Sequence, residues 1–143
     1  MRRSPYDSHL PETDDRKPFA VIDIGSNSVR MVVYESLKRA ALPVFNEKVL
    51  CGLGRGVAER GRLDTAASDL ALRTLQRYAA LSTAMGIGSV EAVATAAIRD
   101  SADGADFVAR VQDECGISVR ILSGNEEGYY SALGVAAAIP TAS

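Results

Sequence analysis

Histidine is almost absent from this sequence: the 143 residues contain one, His9, in a polar N-terminal stretch. A histidine metal cage or a Ser-His-Asp triad is therefore not expected. Cysteine is scarce too. Cys51 and Cys115 form no CxxC pair and no ligand cluster, so both are expected as free thiols of a cytosolic protein. There is no excess of basic charge: 16 Lys and Arg stand against 18 Asp and Glu, for a net charge of -2. No global basic field points to specific nucleic acid binding, although a local cluster can still hold an anion. Long apolar runs are missing as well. The stretch Ala132–Ile139 is far too short to span a bilayer. Residues 1–18, "MRRSPYDSHLPETDDRKP", have charges and prolines but no apolar core of a secretory signal. They read as a disordered tail, and the protein reads as soluble and cytoplasmic, with no membrane partner.

What remains, residues 19–143, is long enough for one core. Hydrophobic residues make up 47% of the chain and charged ones 24%, both ordinary for a globular protein. Phe19–Ile24 and Ser28–Glu35 read as strands rich in Val, Ile and aromatic residues. Leu42–Leu53 reads as a third strand, running into the glycine- and arginine-rich loop "CGLGRGVAERGRLD". Asp64 is a good N-cap for a helix. Its apolar side would carry Ala67, Ala71, Leu75, Tyr78, Leu81 and Met85, with Gly86 as its stop. Arg73 and Arg77 fall on another, solvated face. Ser89–Ala97 reads as a fourth strand entering a turn, Asp106–Cys115 as a short helix, and "ISVRILS" as a fifth strand. "SGNEEGYYSALGVAAAI" reads as a third helix. The order β-β-β-α-β-α-β-α argues for an α/β layer on a mixed five-stranded sheet.

Three places can carry chemistry. In the loop Asp23–Ser28, Gly25 frees the backbone so that successive N–H groups can converge on an anion. Ser26, Asn27 and Ser28 add side-chain donors, and Asp23 can hold a hydrated Mg²⁺ beside the anion. An ordinary turn, with Ser and Asn satisfying their own backbone, accounts for the same residues. In "ATAAIRD", Arg99 follows a strand and a run of small residues, where a guanidinium can clamp a phosphate. A surface arginine paired with Asp100 or Asp103 is the alternative. In "LSGNEEG", Ser123 and Glu126 fit a capping box, which gives Glu126 a structural task. Glu127 lies about 100° further round the helix and points elsewhere. An ionised carboxylate at a helix start can serve as a general base for water, or can be merely solvated.

Taken in order, "VIDIGSNSVRMVV", "VATAAIRD" and "ILSGNEEG" followed by "ALGV" resemble the N-terminal domain of the Ppx/GppA phosphatases. These are exopolyphosphatases and guanosine pentaphosphate phosphohydrolases. The resemblance runs from about Phe19 to about Ile139. It implies the actin-like ATPase, or ribonuclease-H-like, fold, with two similar domains around a cleft. It further implies that Gly25, Ser26, Asn27, Ser28 and Arg99 bind phosphate, that Asp23 contacts the metal, Mg²⁺, and that Glu127 is the catalytic base. The implied reaction is hydrolysis of the terminal phosphoanhydride of inorganic polyphosphate or guanosine pentaphosphate. A non-catalytic phosphate-binding half-domain and another kinase or ATPase of the actin-like superfamily are the alternatives.

The chain departs from the family pattern twice. Gly128 stands where the family usually has Ala, at a cost of up to about 1 kcal/mol of local helix stability. A second loop of the form D-x-G-G-G-S is expected soon after the third helix, and the sequence given ends at Ser143. The resemblance thus implies a first domain whose C-terminal partner domain is not in this sequence, and an isolated chain that is nearly inactive. Pairing of complete chains into a homodimer is left open.

Overall fold

A computed structural model of the chain describes residues 17–36 and 42–128. The expected tail up to residue 16, and residues 129–143, which include the rest of the expected third helix, lie outside the described residues. The Gly88 amide donates to the Pro18 carbonyl at 2.9 Å, which ties Pro18 to the fold.

Five strands form one sheet in the order β3-β2-β1-β4-β5. They are β1 (Phe19–Ile24), β2 (Ser28–Tyr34), β3 (Pro43–Leu50), β4 (Ser89–Ala94) and β5 (Val119–Ile121). The first three make an antiparallel meander, with Ile22 opposite Met31 and Met31 opposite Glu47. β4 and β5 then extend the sheet parallel to β1. Alternation explains the buried face. Ala20, Ile22 and Ile24 of β1, and Val29, Met31 and Val33 of β2, are all buried, as period-two patterning requires.

The helices are α1 (Val57–Arg60), α2 (Thr65–Ala84), α3 (Ala96–Asp100) and α4 (Gly104–Cys115). The Asp64 carboxylate accepts from the Ala67 amide at 2.9 Å, as an N-cap should. Ala67, Ala71, Leu75 and Tyr78 of α2 are buried in the same core, which α4 closes with Phe107 and Val111. Leu81 and Met85 pack partly buried at its edge. The Tyr78 hydroxyl, deep in that core, lies 3.3 Å from the Val29 carbonyl and 3.2 Å from that of Glu47. A buried phenol needs such a partner.

Several expected boundaries move. β3 stops at Leu50 because the amides of Cys51 and Gly52 turn to the Asn27 carbonyl, each at 3.0 Å. α1 interrupts the glycine-rich loop. β4 ends at Ala94 rather than Ala97, and the next residues form the helix α3. α4 starts two residues early, at Gly104, where a Cβ would collide with the Ile98 carbonyl. β5 is confined to Val119–Ile121. Arg77 is not simply solvated: its Nη1 donates to Glu47 of β3 at 3.0 Å, and its guanidinium lies 5.4 Å from the Tyr78 ring centre.

Candidate active site

The three parallel strands β1, β4 and β5 end on the same edge of the sheet, and each is followed by one of the three segments singled out in the sequence. The loop at Gly25–Asn27 leaves β1, Thr95–Asp100 leaves β4, and Leu122–Glu127 leaves β5. Backbone hydrogen bonds stitch the exits together. The Thr95 amide donates to the Ile24 carbonyl at 3.2 Å, and the Leu122 amide to the Ala94 carbonyl at 2.9 Å. Ligand sites of open α/β sheets lie just beyond the carboxyl ends of such strands.

The loop from Asp23 to Ser28 is tight. The Gly25 amide donates to the Ser28 carbonyl at 2.9 Å. Ser26, Asn27 and Ser28 therefore follow one another in a narrow turn with Asn27 exposed. A second loop lies against it, one that sequence reasoning left unassigned. The Gly54 amide donates to the Ser26 carbonyl at 2.8 Å. A Cβ on Gly54 would come within 2.9 Å of the Ser26 Cβ, so glycine is what allows the two backbones to meet. Together with the bonds of Cys51 and Gly52 to Asn27, this fixes the turn from below.

Arg99 lies in α3, one turn after Thr95, and its amide closes that turn on the Thr95 carbonyl at 3.0 Å. Its side chain reaches across to the exit of β5. Nη1 donates to the Leu122 carbonyl at 3.1 Å and to the Glu127 carboxylate at 3.2 Å. Nε donates to Asp100 at 3.2 Å. The alternative partner Asp103 is engaged elsewhere, accepting from the Leu63 amide at 2.9 Å. The bond to Glu127, ahead of the contacts with Asp100, pushes the Arg99 pKa above its ordinary value.

Residues 124–128 form the opening turn of a helix. Ser123 and Glu126 make both bonds of a capping box: the Glu126 amide to the Ser123 hydroxyl at 3.2 Å, and the Ser123 amide to the Glu126 carboxylate at 3.2 Å. Glu126 also pairs with Arg120 at 3.3 Å. Glu127 projects the other way, to Arg99. The two adjacent acids thus belong to different networks.

Asp23 sits at the end of β1, across from Arg30 on β2. Desolvation raises the pKa of its carboxyl; the Arg30 charge pulls it down and the Glu127 charge raises it further. Asp23, exposed at the end of β1, offers one carboxylate of the kind a magnesium ion takes. Such an ion takes one or two carboxylates and fills its remaining positions with water and phosphate oxygens. Among the described residues no group of three or more His, Cys, Asp or Glu could hold a metal by itself.

Comparison with known proteins follows the same lines. The fold is an actin-like α/β domain. A solved structure of the Aquifex aeolicus Ppx/GppA family member superposes with a TM-score of 0.78 at 32% identity, covering 85% of this chain and 40% of that one. An exopolyphosphatase from Cytophaga hutchinsonii superposes with a TM-score of 0.71 at 27% identity, covering 76% of this chain and 35% of its own. The model of the Ppx/GppA phosphatase family matches residues 32–143. The chain belongs to that family. Exopolyphosphatase 1 of Mycobacterium tuberculosis is 27% identical over 116 residues, 80% of this chain and 34% of that protein. The chain thus spans about a third of the length of the curated relatives it matches. The loop at Asp23–Ser28 precedes the stretch matched by the family model.

Among the described residues no helix is long and apolar enough to cross a membrane. Neither Cys51 nor Cys115 forms a disulfide.

Proposed function

We propose that this chain is the first phosphate-binding domain of an enzyme that hydrolyses the terminal phosphoanhydride of inorganic polyphosphate, of guanosine pentaphosphate, or of both. The observation that carries the reading is the link from Arg99 to Glu127. A phosphate-type cation and a candidate base, 28 residues apart in sequence, meet at 3.2 Å between the exits of β4 and β5.

The loop of Gly25, Ser26, Asn27 and Ser28, which the Gly25 amide closes on the Ser28 carbonyl, would receive the terminal phosphate through its remaining donors, with Arg99 clamping it from the other side. Phosphate oxygens, like carboxylates, take strong charge-assisted bonds from a guanidinium. On this reading Arg99 would turn from Glu127 to the phosphate and leave the base free. Glu127 would then orient a water and take its proton as the water attacks phosphorus in line with the leaving oxygen. Asp23 would hold the Mg²⁺, which when bound supplies positive charge to the phosphate oxygens. The remaining donors would come from a second domain outside this chain, so the chain alone would hold its ligand from one side and turn over slowly.

The test is orthophosphate release from polyphosphate and from guanosine pentaphosphate with Mg²⁺ present, first by the chain alone and then with a separately produced second domain. The reading expects release that rises strongly on adding that domain and needs no sugar acceptor. Transfer only to a sugar, or no release in either case, contradicts it.

A further inference from the structure

Beside the turn at Ser26 and Asn27 lies a cleft of about 720 Å³, bounded by the glycine-rich loop on one side and the start of α3 on the other. That volume is in the range of small-ligand sites. Its polar lining is Ser26, Asn27, Arg55 and Asp100. Asp100 is already engaged by the Nε of Arg99 at 3.2 Å. Arg55 is different. It is exposed, and among the described residues no carboxylate pairs with it.

The guanidinium of Arg55 nevertheless has a defined seat. It folds back over Gly52, where a Cβ would lie 3.3 Å from Nη2. Gly52 has φ +75°, a conformation that side chains rarely adopt. The Arg55 amide donates to the Gly52 carbonyl at 3.0 Å, closing the turn under the guanidinium. The same loop is tied to the Ser26–Asn27 turn by the amides of Cys51, Gly52 and Gly54. The backbone that carries Arg55 is therefore fixed relative to that turn. The cleft runs from the residue Arg99 holds, past Ser26 and Asn27, to a cation that has no anionic partner among the described residues.

We propose that this cleft is a second phosphate subsite, with Arg55 as its cation, receiving the phosphate units that follow the terminal one. The proposal rests on the reading of Ser26, Asn27 and Arg99 as ligands of the terminal phosphate. It adds a specificity-determining residue: Arg55 makes the domain sense chain length, because a single phosphate leaves the cleft vacant and a chain of phosphates fills it. The shared chemistry is a run of consecutive phosphates, carried either by an inorganic chain or by a nucleoside 5′-triphosphate.

Binding of orthophosphate, tripolyphosphate and guanosine 5′-triphosphate to the chain, measured by titration calorimetry with Mg²⁺, tests this. The unaltered chain should bind tripolyphosphate more tightly than orthophosphate. Arg55→Ala should abolish that difference, lowering tripolyphosphate affinity about 10-fold or more as charge-assisted hydrogen bonds are lost, and Arg55→Lys should recover part of it. A parallel loss for guanosine 5′-triphosphate assigns the subsite to any triphosphate; a loss confined to tripolyphosphate assigns it to inorganic chains. Unchanged tripolyphosphate affinity in Arg55→Ala, or an unaltered chain that does not bind tripolyphosphate, overturns the subsite. Arg99→Ala in the same titration separates the two readings: if it leaves tripolyphosphate affinity intact, the terminal-phosphate site itself is wrong.

Discussion

Arg99 and Glu127 are joined at 3.2 Å, although one belongs to the short helix after β4 and the other to the helical turn after β5. Under the proposed function an entering phosphate would compete with Glu127 for Arg99, so that its binding would free the base.

Arg99→Ala removes the clamp. In the complete enzyme it should raise KM about 10-fold or more and also lower kcat, since charge-assisted contacts to a phosphate are strong. Arg99→Lys should recover only part, because an ammonium lacks the planar fork. Steady-state kinetics of the two variants check this; wild-type behaviour of Arg99→Ala would return Arg99 to a surface role.

Gly54→Ala should be costly. Its new methyl would press on Ser26 from 2.9 Å, forcing apart two loops joined by backbone bonds. A loss of about 1–3 kcal/mol is expected for such overpacking, together with weaker phosphate binding. Denaturant midpoints and phosphate titration read both.

Gly128→Ala supplies the opposite case. Nothing lies within 4 Å of a Cβ there, and the position is in the first turn of a helix. Alanine should stabilise by up to about 1 kcal/mol. A lower unfolding midpoint in Gly128→Ala would show that the position needs glycine.

How much of this was legible beforehand follows from the range of each interaction. The capping box of Ser123 and Glu126 is local, spanning one helical turn, so spacing alone separated Glu126 from Glu127. The alternation in β1 and β2 is equally local. α3 was missed because five residues are too few to show a helical period. The role of the glycine-rich loop is not legible in the sequence, because its bonds to Ser26 and Asn27 run between backbone atoms about 25 residues apart, and backbone pairing leaves no side-chain signature. The pairing of Arg77 with Glu47 across the sheet was hidden for a similar reason: it depends on the register between α2 and β3.

Alkaline pH should destabilise the fold. Burial raises the pKa of Cys51, Tyr78 and Cys115 above their ordinary values of 9.0, 10.0 and 9.0. The unfolded chain then gives up these protons first, so it binds fewer protons than the folded one and stability falls as pH rises. The stability contribution is fully present below about pH 8.5 and is lost progressively as pH climbs through the folded values. Unfolding midpoints at pH 8 and pH 10 should differ in that direction, and the drop should be smaller in Cys51→Ala relative to its own value at pH 8.

The most direct measurement compares Glu127→Gln with Glu126→Gln in the complete enzyme. Glutamine at 127 can still receive Arg99 but cannot accept a proton at neutral pH, so hydrolysis of polyphosphate should fall about 100-fold or more while phosphate-chain affinity stays near that of the parent. Glutamine at 126 can still accept the Ser123 amide and should retain much of the turnover, with only a modest loss of stability from the weakened pairing with Arg120. Comparable losses of turnover in both variants, or full turnover in Glu127→Gln, would contradict the assignment of Glu127 as the base.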